Sequence, residues 1–285
     1  MAFPLKNKSA LFGLGLFGVL LALAFSVPYF SAYDSFKAHL ENQNLPPSWN
    51  RPDGLPQPFF FGTDELGRDL FSRTFYGARL SLMVGLFASL IDLAVGSLFG
   101  ALAAFFKGSL EELILRLCDV LHALPSFLVF IWLLLWLGPG FSTVILALTL
   151  TGWINTARIT RAAAERILQA DFILAAYAMG ARRRRIIFKH LFPHLWGTMT
   201  AAMAMAVPSA IFSETFLSFL GLGLPPPAAS LGVLLNDALD AFRYYPHRLL
   251  FPALVLFLVL LSLHLIGDAL SQAFHPKEKL FAKAP

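Results

Sequence analysis

The sequence predicts an all-α integral membrane protein with six transmembrane helices and both termini in the cytoplasm. Three observations carry that expectation. The 285 residues are 57% hydrophobic and only 14% charged, whereas soluble domains carry about 25% charged residues. Apolar runs near the length of a bilayer crossing recur along the chain. Lys and Arg are unevenly shared between alternate connecting segments, which sets orientation in a membrane.

After a polar stretch at 1–9, the first span is 10–30. Lys6 and Lys8 ahead of it resemble the start of a signal peptide. The apolar run is longer than a signal core, and Pro28-Tyr29-Phe30 is a poor small-residue cleavage site, so a retained helix is expected. Residues 31–78 form a turn-rich external loop with six acids and four bases. Within it, Thr63 or Asp64 can cap a short helix. Asp64, Glu65, Arg68, Asp69 and Arg73 can form local ion pairs. The charge run reads either as a solvated, capped loop or as an external lid or docking surface, and the first is favoured.

The second span, 80–106, contains Asp92. That residue either serves function or hydrogen-bonds a neighbouring helix. The third span, 113–137, has Arg116 and Asp119 spaced to pair on one face and Pro125 placed to kink it. His122 has no second ligand at i+4, so no metal site is expected. The fourth span, 141–160, leads into a basic cytoplasmic loop at 161–195. The fifth span is 196–217, followed by an external loop at 218–248 whose glycines and Pro225-Pro226-Pro227 break helix. The sixth span is 249–274, with a tail at 275–285. The cytoplasmic segments hold 15 of the 22 Lys and Arg residues and the external ones 7.

The basic loop is the most informative stretch. Ile167 to Gly180 has one charge, Asp171. Fourteen helical residues reach about 21 Å, short of the ~30 Å hydrocarbon core. Flanked by Arg158, Arg161 and Arg166 before and Arg182 to Arg185 after, this segment lies on the bilayer or is buried in a partner. Asp171 is expected to cap a helix from Phe172 to Met179, and Gly180 to stop it. Phe172, Ala175, Ala176 and Met179 share a face. A second basic helix is expected from Arg182 to Leu191, ending before Pro193.

Several function classes are excluded or disfavoured. No H-E-x-x-H, G-x-S-x-G or C-x-x-C occurs, so no familiar catalytic set is assembled. No phosphate-cradling P-loop occurs, so this chain is not expected to hold ATP. Cys118 stands alone, which rules out an internal disulfide. The net charge of +5 is explained by topology, and no nucleic-acid surface is expected. Glu214, with Ser209 and Ser213 nearby, is a candidate for the solute path; a helix–helix hydrogen bond is the alternative for Glu214.

Ala175, Ala176, Gly180 and Pro193 fall at the spacings of a cytoplasmic loop motif: Glu-Ala-Ala, three residues, Gly, nine residues, Ile-x-Leu-Pro. Leu174, His190 and Phe192 depart from it. Further marks are Gly62-Thr63-Asp64, Gly67-Arg68-Asp69, Gly77-Ala78-Arg79-Leu80-Ser81-Leu82, Arg185-Ile186-Ile187-Phe188-Lys189-His190 and Leu217-Ser218-Phe219-Leu220-Gly221. Together they make the chain resemble permease subunits of bacterial ATP-binding-cassette importers, in the dipeptide/oligopeptide/nickel branch and of the second-permease type.

The resemblance implies a type I transmembrane domain over 77–270 in the bacterial inner membrane. Its implied partners are a second homologous permease, two ATPase subunits and an external substrate-binding protein. ATP and Mg would be bound by the ATPases, leaving no cofactor or metal in this chain. Asp171, Phe172, Ala175, Ala176, Met179, Gly180, Arg185 and Pro193 would couple the permease to an ATPase. The implied cargo is a di- or oligopeptide. Nickel, glutathione or an oligosaccharide carried by the same machinery, or an ion-driven secondary transporter, are the alternatives.

Overall fold

The computed structural model describes residues 8–50 and 58–274. The described residues form helices and loops, with one isolated β-bridge between Thr63 and Asp69. In order the helices are α1 (Lys8–Phe30), α2 (Leu70–Phe105), α3 (Ser109–Ala123), α4 (Ser126–Leu137), α5 (Phe141–Leu168), α6 (Asp171–Ala178), α7 (Arg183–Arg185), α8 (Phe192–Leu217), α9 (Leu231–Ala238) and α10 (His247–Phe274). A short 3₁₀ turn covers Leu40–Asn42, and π-helical turns cover Ile186–Leu191 and Ser218–Leu222.

Four helical stretches are long and apolar enough to cross a membrane: α1, α2, Arg183–Leu222 and His247–Ala273. The pair α3 and α4 makes a fifth if taken as one bent span. The expected third span, 113–137, is therefore not a simple kinked helix. It breaks at Leu124-Pro125 and turns by 84°. Pro125 disfavours helical backbone at the residue before it, and Leu124 is extended at φ −76°, ψ 128°. Pro125 then serves as the cap ahead of α4.

The expected stop before Pro193 does not occur. α7 passes through the π-helical turn directly into α8. Pro193 has no N–H and crowds the preceding turn. The wider turn absorbs this, with Phe192 N–H bonding back five residues to Ile187 O.

Packing is organised around α2. Gly96 and Gly100 let α5 approach closely: a Cβ on Gly96 would stand 2.6 Å from the Trp153 carbonyl, and one on Gly100 would strike the Ala157 carbonyl. Small residues four apart draw helices together where lipid leaves little hydrophobic force between them. A second layer joins α1, α2, α8 and α10 through Leu20, Phe75, Leu82, Ile211, Val255 and Val259. Large apolar side chains such as Phe12, Leu135, Trp136 and Phe257 face outward, as expected of a lipid-contacting surface.

α2 begins ten residues before the expected second span. Its N-cap is Asp69, whose Oδ2 accepts from Ser72 N–H at 2.8 Å, not Thr63 or Asp64. The external loop expected at 218–248 contains α9, capped by Ser230.

Candidate functional site

Three places gather the residues with chemistry. The first is the short helix of the basic loop. α6 starts one residue earlier than expected. Its N-cap is Ala170, and Asp171 is the first helical residue with no side-chain cap bond. The carboxylate still sits at the positive end of the helix dipole.

The end of α6 is as expected. Ala181 N–H bonds to Ala176 O at 3.0 Å and Gly180 N–H to Tyr177 O at 2.9 Å, with Gly180 at φ +81°. That pair of bonds is a Schellman closure, which favours glycine at this position.

Ile173 and Ala176 face this chain and are buried. Phe172, Leu174, Ala175, Tyr177 and Met179 are exposed, Met179 by 82%. The expected common face of Phe172, Ala175, Ala176 and Met179 is thus divided, because Ala176 packs inward. Phe172 stacks on His194 at 4.8 Å. Arg185 follows in the basic turn. Among the described residues, none of Arg182 to Arg185 forms a salt bridge.

The second place is a cavity of about 800 Å³ among α2, α4, α5 and α8, with His122 of α3 on its wall. Ser209 and Ser213 line it, as do Asp92, Gly152, Asn155 and Arg158. Glu214 does not line it. It is fully buried and accepts from Ser81 Oγ at 2.8 Å and Ser218 Oγ at 2.7 Å. Ser81 lies on α2, so Glu214 ties α2 to α8, the alternative that the sequence left open. Asp119 does not pair with Arg116; it reaches Arg158 of α5 at 2.8 Å. Arg161 of α5 binds Glu111, with Nε 2.8 Å from Oε1. Arg116 instead stands 3.9 Å from Glu112 on its own helix, while Asp119 pairs across to α5.

The third place is a polar knot formed by the 31–69 loop, the start of α2 and the start of α10. Asp64 and Arg73 are both buried, which corrects the expectation of a solvated charge run. Asp64 Oδ2 meets Arg68 Nε at 2.7 Å and Arg73 Nε at 3.3 Å. Its Oδ1 accepts from the Leu66 and Arg68 N–H groups. Arg73 also donates to Ser35 O at 3.0 Å. Arg248, nearly buried, donates to Asp237 O at 3.0 Å and Asn44 Oδ1 at 3.3 Å. Burial pushes the Asp69 carboxyl up to about 6 and raises that of Asp237. Periodicity misses this knot because its partners are far apart in sequence; Asn44 and Arg248 are 204 residues apart.

Comparison with known proteins follows the same outline. Residues 96–280 match the family of the binding-protein-dependent transport system inner membrane component. Residues 5–47 match the N-terminal TM domain of oligopeptide transport permease C. The oligopeptide transport system permease protein OppC of Bacillus subtilis is 41% identical over 95% of this chain and 87% of its own length. The dipeptide transport system permease protein DppC of the same organism is 42% identical over 95% of this chain and 83% of its own. A solved structure of the MetNI methionine ABC transporter in inward-facing form aligns with TM-score 0.61, over 71% of this chain and 96% of that one, at 17% identity. Its likeness supports the fold. The chain therefore belongs to the family of binding-protein-dependent inner membrane transport components, multi-pass permease subunits of ATP-binding-cassette importers rather than enzymes.

Proposed function

We propose that this chain forms half of the translocation pore of an ATP-driven importer of di- and oligopeptides. Relatives named for oligopeptide and dipeptide transport, matched over 95% of the chain, support the cargo. A glutathione permease of Pectobacterium atrosepticum, 35% identical over 93% of the chain, makes glutathione a second candidate, itself a small peptide. The pore is completed by a second homologous permease. Two ATPases, which bind ATP and Mg, sit beneath it, and a substrate-binding protein delivers solute from outside.

We read α5 as a further crossing beside the four long apolar stretches and the bent α3–α4 pair, which gives six. The excess of Lys and Arg then places both termini and the 161–195 loop in the cytoplasm.

The observation that carries the coupling role is α6: eight residues, closed by Gly180, with Phe172, Leu174, Tyr177 and Met179 exposed between basic segments. We assign Asp171, Phe172, Ala175, Ala176, Met179, Gly180, Arg185 and Pro193 to the ATPase-facing element. ATP-driven closure of the ATPases moves α6 and the adjoining α7, and the unbroken run from α7 through the π-helical turn into α8 carries the motion to Ser209 and Ser213 on the cavity wall. ATP must favour one pore state over the other for this to drive transport.

The test is ATP-driven uptake of a labelled dipeptide by the full complex with Gly180→Val or Ala176→Arg. A Cβ-branched residue at φ +81° strains the closure, and Arg cannot occupy the buried Ala176 site. Inserted protein with uptake lost is the expected result. Normal uptake with normal ATPase stimulation overturns the assignment.

A further inference from the structure

Four carboxylates are buried among the described residues: Asp64, Asp69, Asp92 and Glu214. Three are held. Asp64 has arginines and backbone N–H groups, Asp69 has the Ser72 N–H, and Glu214 has two serine hydroxyls. Asp92 is different. It is 6% exposed, lies in α2 on the cavity wall, and its Oδ1 has no hydrogen-bond partner. An unpartnered carboxylate among apolar helices is costly, and within membrane spans such a group marks a solute or ion path.

The facing helix makes room for it. Gly152 of α5 lines the same cavity, and a Cβ there would overlap the Asp92 carboxylate. Six residues further along α5, about 9 Å at the helical rise, Arg158 also lines the cavity. Arg158 gives its Nη2 to Asp119, and a guanidinium has further donors to offer. Between these two poles α5 carries Asn155 and Thr156 on the cavity wall, and His122 of α3 lines the cavity as well. No group of three or more His, Cys, Asp or Glu able to hold a metal occurs among the described residues, so a divalent cation would lack ligands here. A single carboxylate suits an organic ammonium.

We infer that Asp92 binds the N-terminal ammonium of a short peptide in the cavity, with Arg158 facing the peptide's C-terminal carboxylate. The inference rests on the peptide reading above and adds the site that reads the cargo's two charges. An extended peptide of two residues spans about 7 Å and one of three about 10 Å, which matches the separation of the poles along α5.

The test uses the purified permease–ATPase complex in nanodiscs. Equilibrium dialysis measures binding of radiolabelled alanyl-alanine, with and without N-acetyl-alanyl-alanine as competitor. The same complex in proteoliposomes, with its binding protein, measures ATP-driven uptake of the dipeptide. Wild type is expected to bind the free dipeptide at least about tenfold more tightly than the acetylated one, as loss of a charge-assisted hydrogen bond implies. Asp92→Asn is expected to lose that preference, and Asp92→Glu to recover part of it. Should Asp92→Asn fail to assemble, Gly152→Ala, which displaces the carboxylate without removing it, is expected to reduce the preference in the same direction. Wild-type uptake of the dipeptide with no preference for the free amine, or with the preference intact in the assembled variants, overturns the inference and leaves the peptide reading standing. Absence of dipeptide uptake by wild type overturns the peptide reading and this inference together.

Discussion

Asp64 and Arg73 sit almost fully buried, each with its partners within reach. Arg182 to Arg185, in the loop that holds α6, find no acidic partner in this chain among the described residues. The two regions are similar in charge density and opposite in how they satisfy it. The Asp64 knot is turned inward: acids, arginines and backbone groups of the chain meet one another, with Arg73 Nε held beside Asp64 at 3.3 Å by charge rather than by a hydrogen bond. The α6 loop is open: Phe172, Leu174, Tyr177 and Met179 face outward and Arg182 to Arg185 form no salt bridge among the described residues, while the end of the helix is closed by Gly180. A surface with a rigid backbone and unsatisfied side chains is one shaped for a partner. Stability should therefore respond to changes in the knot, and assembly to changes in the loop.

Breaking the knot should have the largest effect. Arg73→Ala leaves the buried Asp64 with Arg68 as its one guanidinium partner and is expected to cost about 3–5 kcal/mol, read as a fall in the thermal unfolding midpoint of the detergent-purified chain. A shift of no more than a degree would mean the knot is solvated after all. Glu214→Gln should cost less, about 1–3 kcal/mol, because it leaves amide N–H groups facing serine hydroxyls. Dipeptide uptake per folded molecule should stay near wild type, since Glu214 lies off the cavity; selective loss of uptake with an unchanged melt would return Glu214 to the solute path.

Asp69 sharpens the comparison through pH. Its carboxyl is pushed up to about 6 by burial, against an ordinary value near 4. Between those values the folded chain holds a proton that the unfolded chain has lost. Its contribution to stability is therefore full below about pH 4 and declines as pH rises through about 6. Asp69→Asn, which cannot ionise and remains a good cap, should melt close to wild type near pH 4 and above it at pH 7. A pH-independent difference would contradict the burial argument. The smallest stability effect belongs to the open region. Met179→Ala should change folding stability by no more than about 0.5 kcal/mol, yet weaken ATPase association measured by co-purification.

Much of this was legible in the sequence, for local reasons. The apolar runs announce the spanning helices, and Gly180 announces the end of α6, because a left-handed cap depends on one residue and its neighbours. What was hidden depended on distant partners. The charge run around Asp64 looked solvated because Ser35, Asn44 and Arg248, which enclose the knot, lie far away in the chain. Asp119 looked like a partner for Arg116 because its actual partner, Arg158, lies 39 residues away on α5. Pro193 looked like a stop because spacing does not reveal that a π-helical turn precedes it. Asp92 stayed undecided because periodicity cannot say whether the facing helix offers a donor or, as with Gly152, only space.

The central claim is that α6 is an open surface completed by an ATPase. The protein is well suited to a direct test, since Cys118, the one cysteine in the sequence, is buried. Met179→Cys, made in the full complex, is treated with a short thiol-to-amine cross-linker, with Phe60→Cys in the knot-bearing loop as the control. A cross-link from position 179 to an ATPase subunit and none from position 60 are expected. Modification of position 179 by an impermeant thiol reagent added outside intact cells, or the absence of any cross-link to an ATPase from that position, would contradict the claim.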